Sequence, residues 1–193
     1  MRRSILLLPA PAILLMTVLI SSCGNDQGHV VVGSGTRYVN NAGGPRTVNL
    51  PDGSQVVLMD GTMIIVSKEF GKEGRDVEID GQGLFVVRAS GMGDKPFVVH
   101  TGNLIIQVLD TTGAAGSRFA VEAVRKQPGE EADLLDGKLR VTKSYHSDTD
   151  NEPEELGGGD MVMINREIDL MEKEKMTGPE EDKVKEKYKV ADR

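Results

Sequence analysis

The sequence predicts a mainly β protein, a solenoid-like or sandwich-like stack of short strands with a charged helical C-terminal tail. Four Asp-Gly steps, at residues 52–53, 60–61, 80–81 and 136–137, divide one apolar-rich stretch. Glycine after aspartate tolerates the positive φ that tight hairpin turns demand. The runs between these steps are short and rich in valine, isoleucine and phenylalanine, as strands are. This rhythm predicts one β domain at residues 45–165.

Alternation of apolar and polar residues assigns faces to several of these strands. Residues 76–80 put three carboxylates on one face and two aliphatic side chains on the other, and residues 138–142 repeat the pattern with basic groups outside. Residues 104–109 are apolar on both faces, as expected of a strand covered on both sides. Periodicity alone leaves a sandwich, a barrel and a solenoid open. The side chains predicted for the core are Val77, Ile79, Phe85, Phe97, Leu104, Ile106, Val108, Phe119, Val121, Leu139 and Val141.

The amino terminus has the layout of a secretory leader. Arg2 and Arg3 give a positive start, residues 5–20 are apolar, and residues 20–23 read Ile-Ser-Ser-Cys. This ending resembles a lipobox, where a bacterial peptidase cuts before a cysteine that carries a diacylglyceryl thioether. Cys23 is the only cysteine of the chain, so we predict that it is the lipid attachment site. A transmembrane anchor fits less well, because the apolar run is shorter than the ~20 residues of a span and contains two prolines. Plain secretion is the other alternative.

Removal of the leader, residues 1–22, makes the chain more acidic. The leader holds two of the 23 basic residues and none of the 30 acidic ones, so the formal charge of the mature chain is −9. An acidic protein is a poor nucleic-acid binder, and it is repelled by anionic lipid, so membrane contact is expected from the acyl chains on Cys23 alone. With Cys23 acylated no thiol remains for a disulfide or a thiolate metal site. Gly24 follows Cys23 where some bacteria use aspartate for retention, which favours the outer membrane and periplasm over the inner membrane.

The segment between the leader and the β domain is polar and rich in glycine. We predict that residues 23–44 form a flexible tether. The valine triplet at residues 30–32 leaves an edge strand open as an alternative.

The C-terminal tail, residues 166–193, is rich in charge. Residues 166–176 have a helical composition, and Pro179 suits the first position of a second helix. The acidic start and basic end of that second helix complement its dipole. Val184 and Tyr188 are its only apolar pair at i,i+4 spacing, so a solvated or fraying helix is expected, with docking on a partner as the alternative.

Seven segments of the β stretch, taken in order, resemble the FecR domain, the periplasmic part of sigma-factor regulators coupled to TonB-dependent uptake. They cover about two thirds of the chain. The segments are residues 47–54, 57–59 with Phe70, 75–87, 95–101, 108–111, 119–121 and 135–141. The resemblance favours the solenoid-like stack among the three architectures.

The resemblance implies a regulatory protein without a cofactor that binds another protein. FecR-type regulators carry a cytoplasmic anti-sigma segment, a membrane span, the FecR domain and a C-terminal module. Here the lipid anchor replaces the first two, and the short charged tail replaces the last. A chain held outside the cytoplasm cannot hold a sigma factor itself, so the expected partner is an envelope signalling or uptake component, such as a TonB-dependent receptor or a sigma-regulator component.

Strand addition at an exposed sheet edge is the expected binding mode. Residues 104–111 and 56–59 are the candidate recognition strands, although their apolar character also favours burial in the core. A structural or adhesive envelope module that binds glycan or peptidoglycan is the alternative function, and the scarcity of aromatic residues disfavours it.

Signals for catalysis and for metal binding are weak. The histidines are His29, His100 and His146, and His100 at the end of a strand is the best candidate base, but no Gly-x-Ser-x-Gly elbow accompanies it. We expect no catalytic residue and no metal site. Residues 148–152 offer alternating oxygens as a Ca²⁺ loop does, but Pro153 stands where the loop needs glycine. A solvated acidic loop is therefore expected.

Overall fold

The computed structural model describes residues 34–88, 95–109 and 116–189. Within them the chain forms thirteen strands and one helix, which confirms the mainly β class. These are β1 (Gly35–Asn40), β2 (Arg46–Asn49), β3 (Gln55–Leu58), β4 (Thr62–Ser67), β5 (Arg75–Val87), β6 (Phe97–His100), β7 (Leu104–Val108), β8 (Ser117–Ala123), β9 (Gly129–Asp136), β10 (Lys138–Lys143), β11 (Glu154–Gly157), β12 (Asp160–Asn165), β13 (Leu170–Lys175) and α1 (Gly178–Tyr188). The predicted leader and the valine triplet lie outside the described residues.

The strands form two layers joined by β5. The first sheet has the order β1-β4-β5-β6-β7-β10-β11, and the second has the order β2-β3-β5-β8-β9-β12-β13. The β5–β6 pair is parallel, and the other registered pairs are antiparallel. Each sheet therefore adds its strands in chain order, while the chain crosses from one layer to the other. This combines the layers of a sandwich with the steady advance of a solenoid.

One hydrophobic core lies between the layers. Inward side chains of both sheets belong to a single buried cluster, and all eleven side chains predicted for the core are at most 5% exposed. The four phenylalanines form one chain of ring contacts. Phe70 and Phe85 each meet Phe97 edge-on, and Phe85 stacks on Phe119 at 5.2 Å between ring centroids. The fully buried rings of Phe85, Phe97 and Phe119 each contribute roughly 1.5–3 kcal/mol through burial, so this chain of rings stabilises both layers together.

Strand β7 is less covered than its composition predicts. Leu104, Ile106 and Val108 are buried, whereas Ile105 and Gln107 on the other face are only half-buried. The prediction that β7 is covered on both faces is therefore wrong.

The Asp-Gly steps do more than close hairpins. The glycines of all four have positive φ, but only the step at residues 52–53 joins two strands that pair with each other. The steps at residues 60–61 and 136–137 lie where the chain passes from the second sheet to the first. The step at residues 80–81 lies inside β5, where its partner changes from β4 to β3. Three of the four steps therefore mark crossings between layers.

The structure corrects two boundaries. Residues 35–40 of the predicted tether form β1, which pairs with β4 along its whole length. Residues 170–175 have a helical composition but form β13, which pairs with β12. The backbone hydrogen bonds that β12 offers, and the packing of Met171 against the core, outweigh the helical propensity of that segment.

The helix α1 packs on the outer face of the second sheet, so the prediction of a solvated helix is wrong. The backbone N–H and hydroxyl of Thr177 donate to the carboxylate of Glu180. These two hydrogen bonds give the donors of Thr177, at the start of the helix, an acceptor. Tyr188 at the other end is 5% exposed. It lies in a second apolar cluster with Leu84, Ala120 and Leu135 of the sheet.

Candidate functional site

The two recognition strands predicted from the sequence are interior strands. Leu104–Val108 forms β7, which is hydrogen-bonded to β6 on one side and to β10 on the other. Residues 56–58 belong to β3, which lies between β2 and β5. A strand that is paired on both sides cannot accept another, so neither of these strands can serve in strand addition.

Four other strands are paired on one side only among the described residues, namely β1, β2, β11 and β13. Strand β13 ends in four alternating charges at residues 172–175, a pattern that protects an edge from pairing. Strands β2 and β11 are only four residues long. Strand β1 is six residues long with one charged residue, Arg37, and its Val39 is 39% exposed. The free edge of β1 therefore fits strand addition best.

The register of β1 shows which backbone groups face outward. Gly35 lies opposite Ser67, and the N–H of Lys68 donates to the carbonyl of Ser34 at 3.2 Å. Since residues of an antiparallel pair alternate between bonded and non-bonded positions, the backbone N–H and C=O groups of Gly35, Arg37 and Val39 point away from β4. These groups form what we name the β1 edge.

One point of the β1 edge is already occupied. The guanidinium of Arg46 donates to the carbonyl of Val39 at 2.9 Å. Next to it, the buried amide of Asn40 donates to the carbonyls of Gly44 and Leu58 and fixes the turn that carries Arg46. Among the described residues, the outward backbone groups of Gly35 and Arg37 have no such partner and can pair with another strand.

His100 does not form part of a catalytic constellation among the described residues. It is 8% exposed, and its Nε2 lies 2.9 Å from Oδ1 of Asp76 on the neighbouring strand. Arg125 forms salt bridges with Glu78 and Asp80 beside this pair. The arrangement binds β5 to β6 and to the end of β8, which is a structural role. His146 is exposed, and His29 lies outside the described residues.

The acidic loop at residues 148–152 is organised by an aspartate that the sequence analysis did not single out. Asp169, at a positive φ of 52°, accepts hydrogen bonds from Ser147 and from the backbone N–H of Asp148. Lys143 and Tyr145 donate to the same carboxylate. The hydroxyl of Ser147 and the ammonium of Lys143 hold the pKa of Asp169 well below its usual range. Among the described residues no cluster of three or more metal-ligating side chains is present.

A concave surface lies between α1 and the outer face of the second sheet. A cavity of about 400 Å³ is bounded by α1 and by strands β8, β9, β12 and β13. A second cavity of about 390 Å³ adjoins it and shares Glu122, Glu131 and Met163. We name the first cavity the acidic groove. Its lining includes Glu122, Glu131, Asp133, Met161, Met163, Glu174, Met176, Glu180, Lys183, Val184, Lys187 and Tyr188.

Strand register explains why carboxylates and methionines meet in this groove. Glu131 lies opposite Glu122 on one side and opposite Met163 on the other. One row along, Asp133 lies opposite Met161, which in turn lies opposite Glu174. Side chains directly opposite each other are about 4.5–5.5 Å apart at Cβ, and like charges in such pairs are unfavourable. The acidic groove therefore concentrates negative charge over an apolar floor of thioethers.

Asp133 is a buried carboxyl group of the groove. It is 7% exposed, and its Oδ1 has no hydrogen-bond partner among the described residues. Burial, together with the negative charge of Glu131, raises the pKa of Asp133 to about 7. Burial likewise raises the pKa of Tyr188, with a further contribution from Glu122. A carboxylate left without a partner in such a site favours a positive ligand.

The lysines of α1 compensate this charge only in part. Lys187 forms a salt bridge with Glu122 at 2.8 Å. No salt bridge among the described residues reaches Glu131 or Asp133. The groove is lined by five carboxylates but only two lysines, Lys183 and Lys187.

Comparison with known proteins places this fold in a family. The sequence profile described as "FecR protein" matches residues 36–140, which is more than half of the chain. The chain belongs to the FecR family. This confirms the resemblance found in the sequence, and it supports a signalling or regulatory role. No curated protein sequence matches the chain.

Solved structures support the same assignment. Two crystal structures of a candidate anti-sigma factor from Parabacteroides distasonis ATCC 8503 match this FecR protein with a TM-score of 0.59 and 26% sequence identity. The match covers 72% of this chain and 59% of that protein. The chain thus spans less than two thirds of its structural relative.

The residues matched by the FecR profile form only part of the acidic groove. Strands β8 and β9 lie inside residues 36–140 of the FecR profile, whereas β12, β13 and α1 lie beyond it. Four of the thirteen residues that line the groove therefore belong to the family domain, and nine belong to the elements C-terminal to that domain. Helix α1 is the one helix among the described residues, and it is too short and too polar to cross a bilayer.

Proposed function

We propose that this FecR protein is a lipid-anchored envelope lipoprotein that binds an envelope protein and takes part in signalling or regulation linked to uptake. The observation that carries the proposal is the β1 edge, a six-residue strand with outward backbone groups and one charge. Family membership supports the regulatory role. Strand addition there would give affinity through backbone hydrogen bonds and selectivity through alternate side chains.

The proposed partner is a sigma-regulator component or a TonB-dependent receptor. The structural relative described as a candidate anti-sigma factor supports this class of partner. We infer a non-enzymatic role, because His100 is hydrogen-bonded to Asp76 and no serine, cysteine or histidine lines the acidic groove among the described residues.

The proposed anchor predicts a defined mass. Cys23 should carry a diacylglyceryl thioether and form the first residue of the mature chain, since the leader ends in Ile-Ser-Ser-Cys. Intact-mass spectrometry of the protein purified from membranes should show loss of residues 1–22 and gain of lipid. A Cys23→Ala variant should show no lipid mass. An uncleaved leader with a free thiol in the wild type would contradict the anchor.

The proposed binding mode predicts that a backbone change in β1 weakens partner recovery. The N–H of Arg37 points away from β4, so Arg37→Pro removes one outward donor and leaves the β1–β4 pairing intact. Loss of that hydrogen bond, with a partner carbonyl left unpaired, should weaken binding about tenfold. Co-purification from membranes with the lipid anchor intact measures the loss.

Arg37→Ala is the matched control, because it removes the side chain but keeps the backbone N–H. It should recover the partner as the wild type does. If both variants lose the partner equally, the contact is made by the guanidinium and strand addition is wrong. A specific pull-down by peptidoglycan instead of protein would favour the adhesive alternative.

A further inference from the structure

The acidic groove has the composition of a binding site for an organic cation. Its floor alternates carboxylates with the thioethers of Met161 and Met163, and Asp133 presents a buried oxygen without a hydrogen-bond partner among the described residues. The volume of about 400 Å³ lies within the roughly 300–1,000 Å³ of small-molecule sites. The proposed partner binding at the β1 edge uses none of these residues.

We propose that the acidic groove binds an alkylammonium ion, with the charged nitrogen between the carboxylates of Glu131 and Asp133 and the methylene stem on the thioethers of Met161 and Met163. An ammonium group offers three hydrogen-bond donors and no acceptor. It can therefore satisfy Oδ1 of Asp133 and neutralise Glu131 at the same time.

The apolar half of the groove selects a cation that carries a hydrocarbon stem. Met161 and Met163 project from alternate positions of β12 onto the same face, about 7 Å apart along the strand. Methionine is unbranched and polarisable, so it adapts to a flexible methylene chain. A hard cation such as Ca²⁺ requires six to eight oxygen ligands, and the described residues hold no cluster arranged for a metal.

The lysines of α1 do not form salt bridges at the position proposed for the ligand nitrogen, between Glu131 and Asp133, among the described residues. Lys187 extends to Glu122, at the side of the groove formed by β8. Lys183 lines the groove but forms no salt bridge with Glu131 or Asp133 among the described residues. The ligand nitrogen would thus complete a charge pattern in which the salt bridge that α1 makes into the groove among the described residues goes to Glu122, and the charge of Lys187 offsets that of Asp133 only in part.

Two kinds of ligand carry an alkylammonium group, namely a free diamine and a protein with an exposed lysine side chain. Calorimetric titration of the full chain with cadaverine tests the first, and titration with N-acetyl-lysine amide tests the second. Methylammonium supplies the charged group without the stem. We expect cadaverine or the lysine amide to bind at least tenfold more tightly than methylammonium, and the tighter of the two identifies the source. Equal affinity of all three probes would overturn the proposal.

Two variants locate the site. Asp133→Asn keeps the shape of the side chain and removes its charge, and it should weaken binding at least tenfold. Asp148→Asn is the matched control in an exposed acidic loop away from the groove, and it should bind as the wild type does. Equal weakening by the two variants, or by neither, would overturn the proposal, because binding would then reflect the net charge of the chain.

Met163→Lys provides a test that does not depend on an added ligand. Its new ammonium group would lie beside Glu131, in the position proposed for the ligand. The variant should unfold at a higher temperature than the wild type and should no longer bind cadaverine. A lower unfolding temperature with unchanged cadaverine binding would contradict the assignment.

The pH dependence of binding depends on the state of Asp133. The carboxyl group must be ionised to hold the ammonium, and its pKa lies at about 7, so affinity should fall about tenfold for each pH unit below 7. Cadaverine titrations at pH 6 and pH 8 measure this change. Equal affinity at both values would exclude Asp133 from the site. The charged or titratable groups that face Asp133 are Glu122, Glu131, Glu174, Glu180, Lys183, Lys187 and Tyr188.

Discussion

Replacement of Asp52 by asparagine is expected to lower the free energy of unfolding by about 3–5 kcal/mol. The Asp52 side chain is fully buried, and its Oδ2 accepts from Nη1 of Arg75 at 3.1 Å, where the Arg75 side chain is 3% exposed. Removal of the negative charge leaves the guanidinium buried without its counter-charge. The guanidinium also donates to the carbonyls of Lys95 and Arg88, so it cannot turn towards water without breaking those bonds.

An exposed salt bridge of the first sheet is the control. Nη2 of Arg140 lies 2.8 Å from Oε1 of Glu155, but the two side chains are 44% and 64% exposed. Glu155→Gln should therefore leave the free energy of unfolding close to that of the wild type. The double variant Asp52→Asn with Arg75→Met should lose less than the sum of the two single variants, since it removes both buried charges. Urea unfolding measures each of these variants against the wild type, and a cost below about 1 kcal/mol for Asp52→Asn would show that water reaches the pair.

Substitution of Gly81 by alanine is expected to cost about 2–5 kcal/mol, as the sum of backbone strain and crowding. Gly81 has a φ of 124°, and a Cβ atom there would lie 2.6 Å from Oγ1 and 2.8 Å from Cα of Thr62. The hydroxyl of Thr62 donates to the carbonyl of Gln82 and accepts from its N–H. These bonds hold β5 where its partner changes from β4 to β3. The added methyl group would combine left-handed backbone strain of about 1–2 kcal/mol with crowding of about 1–3 kcal/mol.

Gly61→Ala separates the two contributions. Gly61 also follows an aspartate and has a positive φ of 74°, but no atom lies within 4 Å of the position that a methyl group would take there. It should therefore cost only the backbone strain, about 1–2 kcal/mol. Thermal unfolding of both variants measures the difference. Equal costs would show that the close approach of Thr62 to β5 relaxes freely and that the crossing is not rigid.

The strands and the core were predictable because period-two alternation survives in a half-buried sheet. Val77 and Ile79 of β5, and Leu139 and Val141 of β10, are buried as that alternation predicts. The turn chemistry of the Asp-Gly steps was also visible, because the positive φ depends on the glycine itself. Which step joins paired strands was not visible, since that depends on the partner chosen by each strand.

The missed features depend on contacts between distant segments. The sequence indicates a turn at Asp52, and nothing near it in sequence indicates Arg75 as its buried partner. Residues 129–136 were not predicted as a strand because their acidic residues mask the alternation, and the acidic groove arises only when β9 lies between β8 and β12. Residues 170–175 were predicted as a helix from their local composition. They form β13 instead, because β12 supplies a hydrogen-bonding partner that is distant from that composition signal.

Site-specific photo-crosslinking in membranes is the direct test of whether the β1 edge recognises another envelope protein. A photoreactive phenylalanine analogue at position 37 places the probe on that edge, and the same analogue at position 155 places it on the edge of β11. We expect one specific protein to be crosslinked from position 37 and none from position 155. A specific product from position 155 with none from position 37 would contradict it.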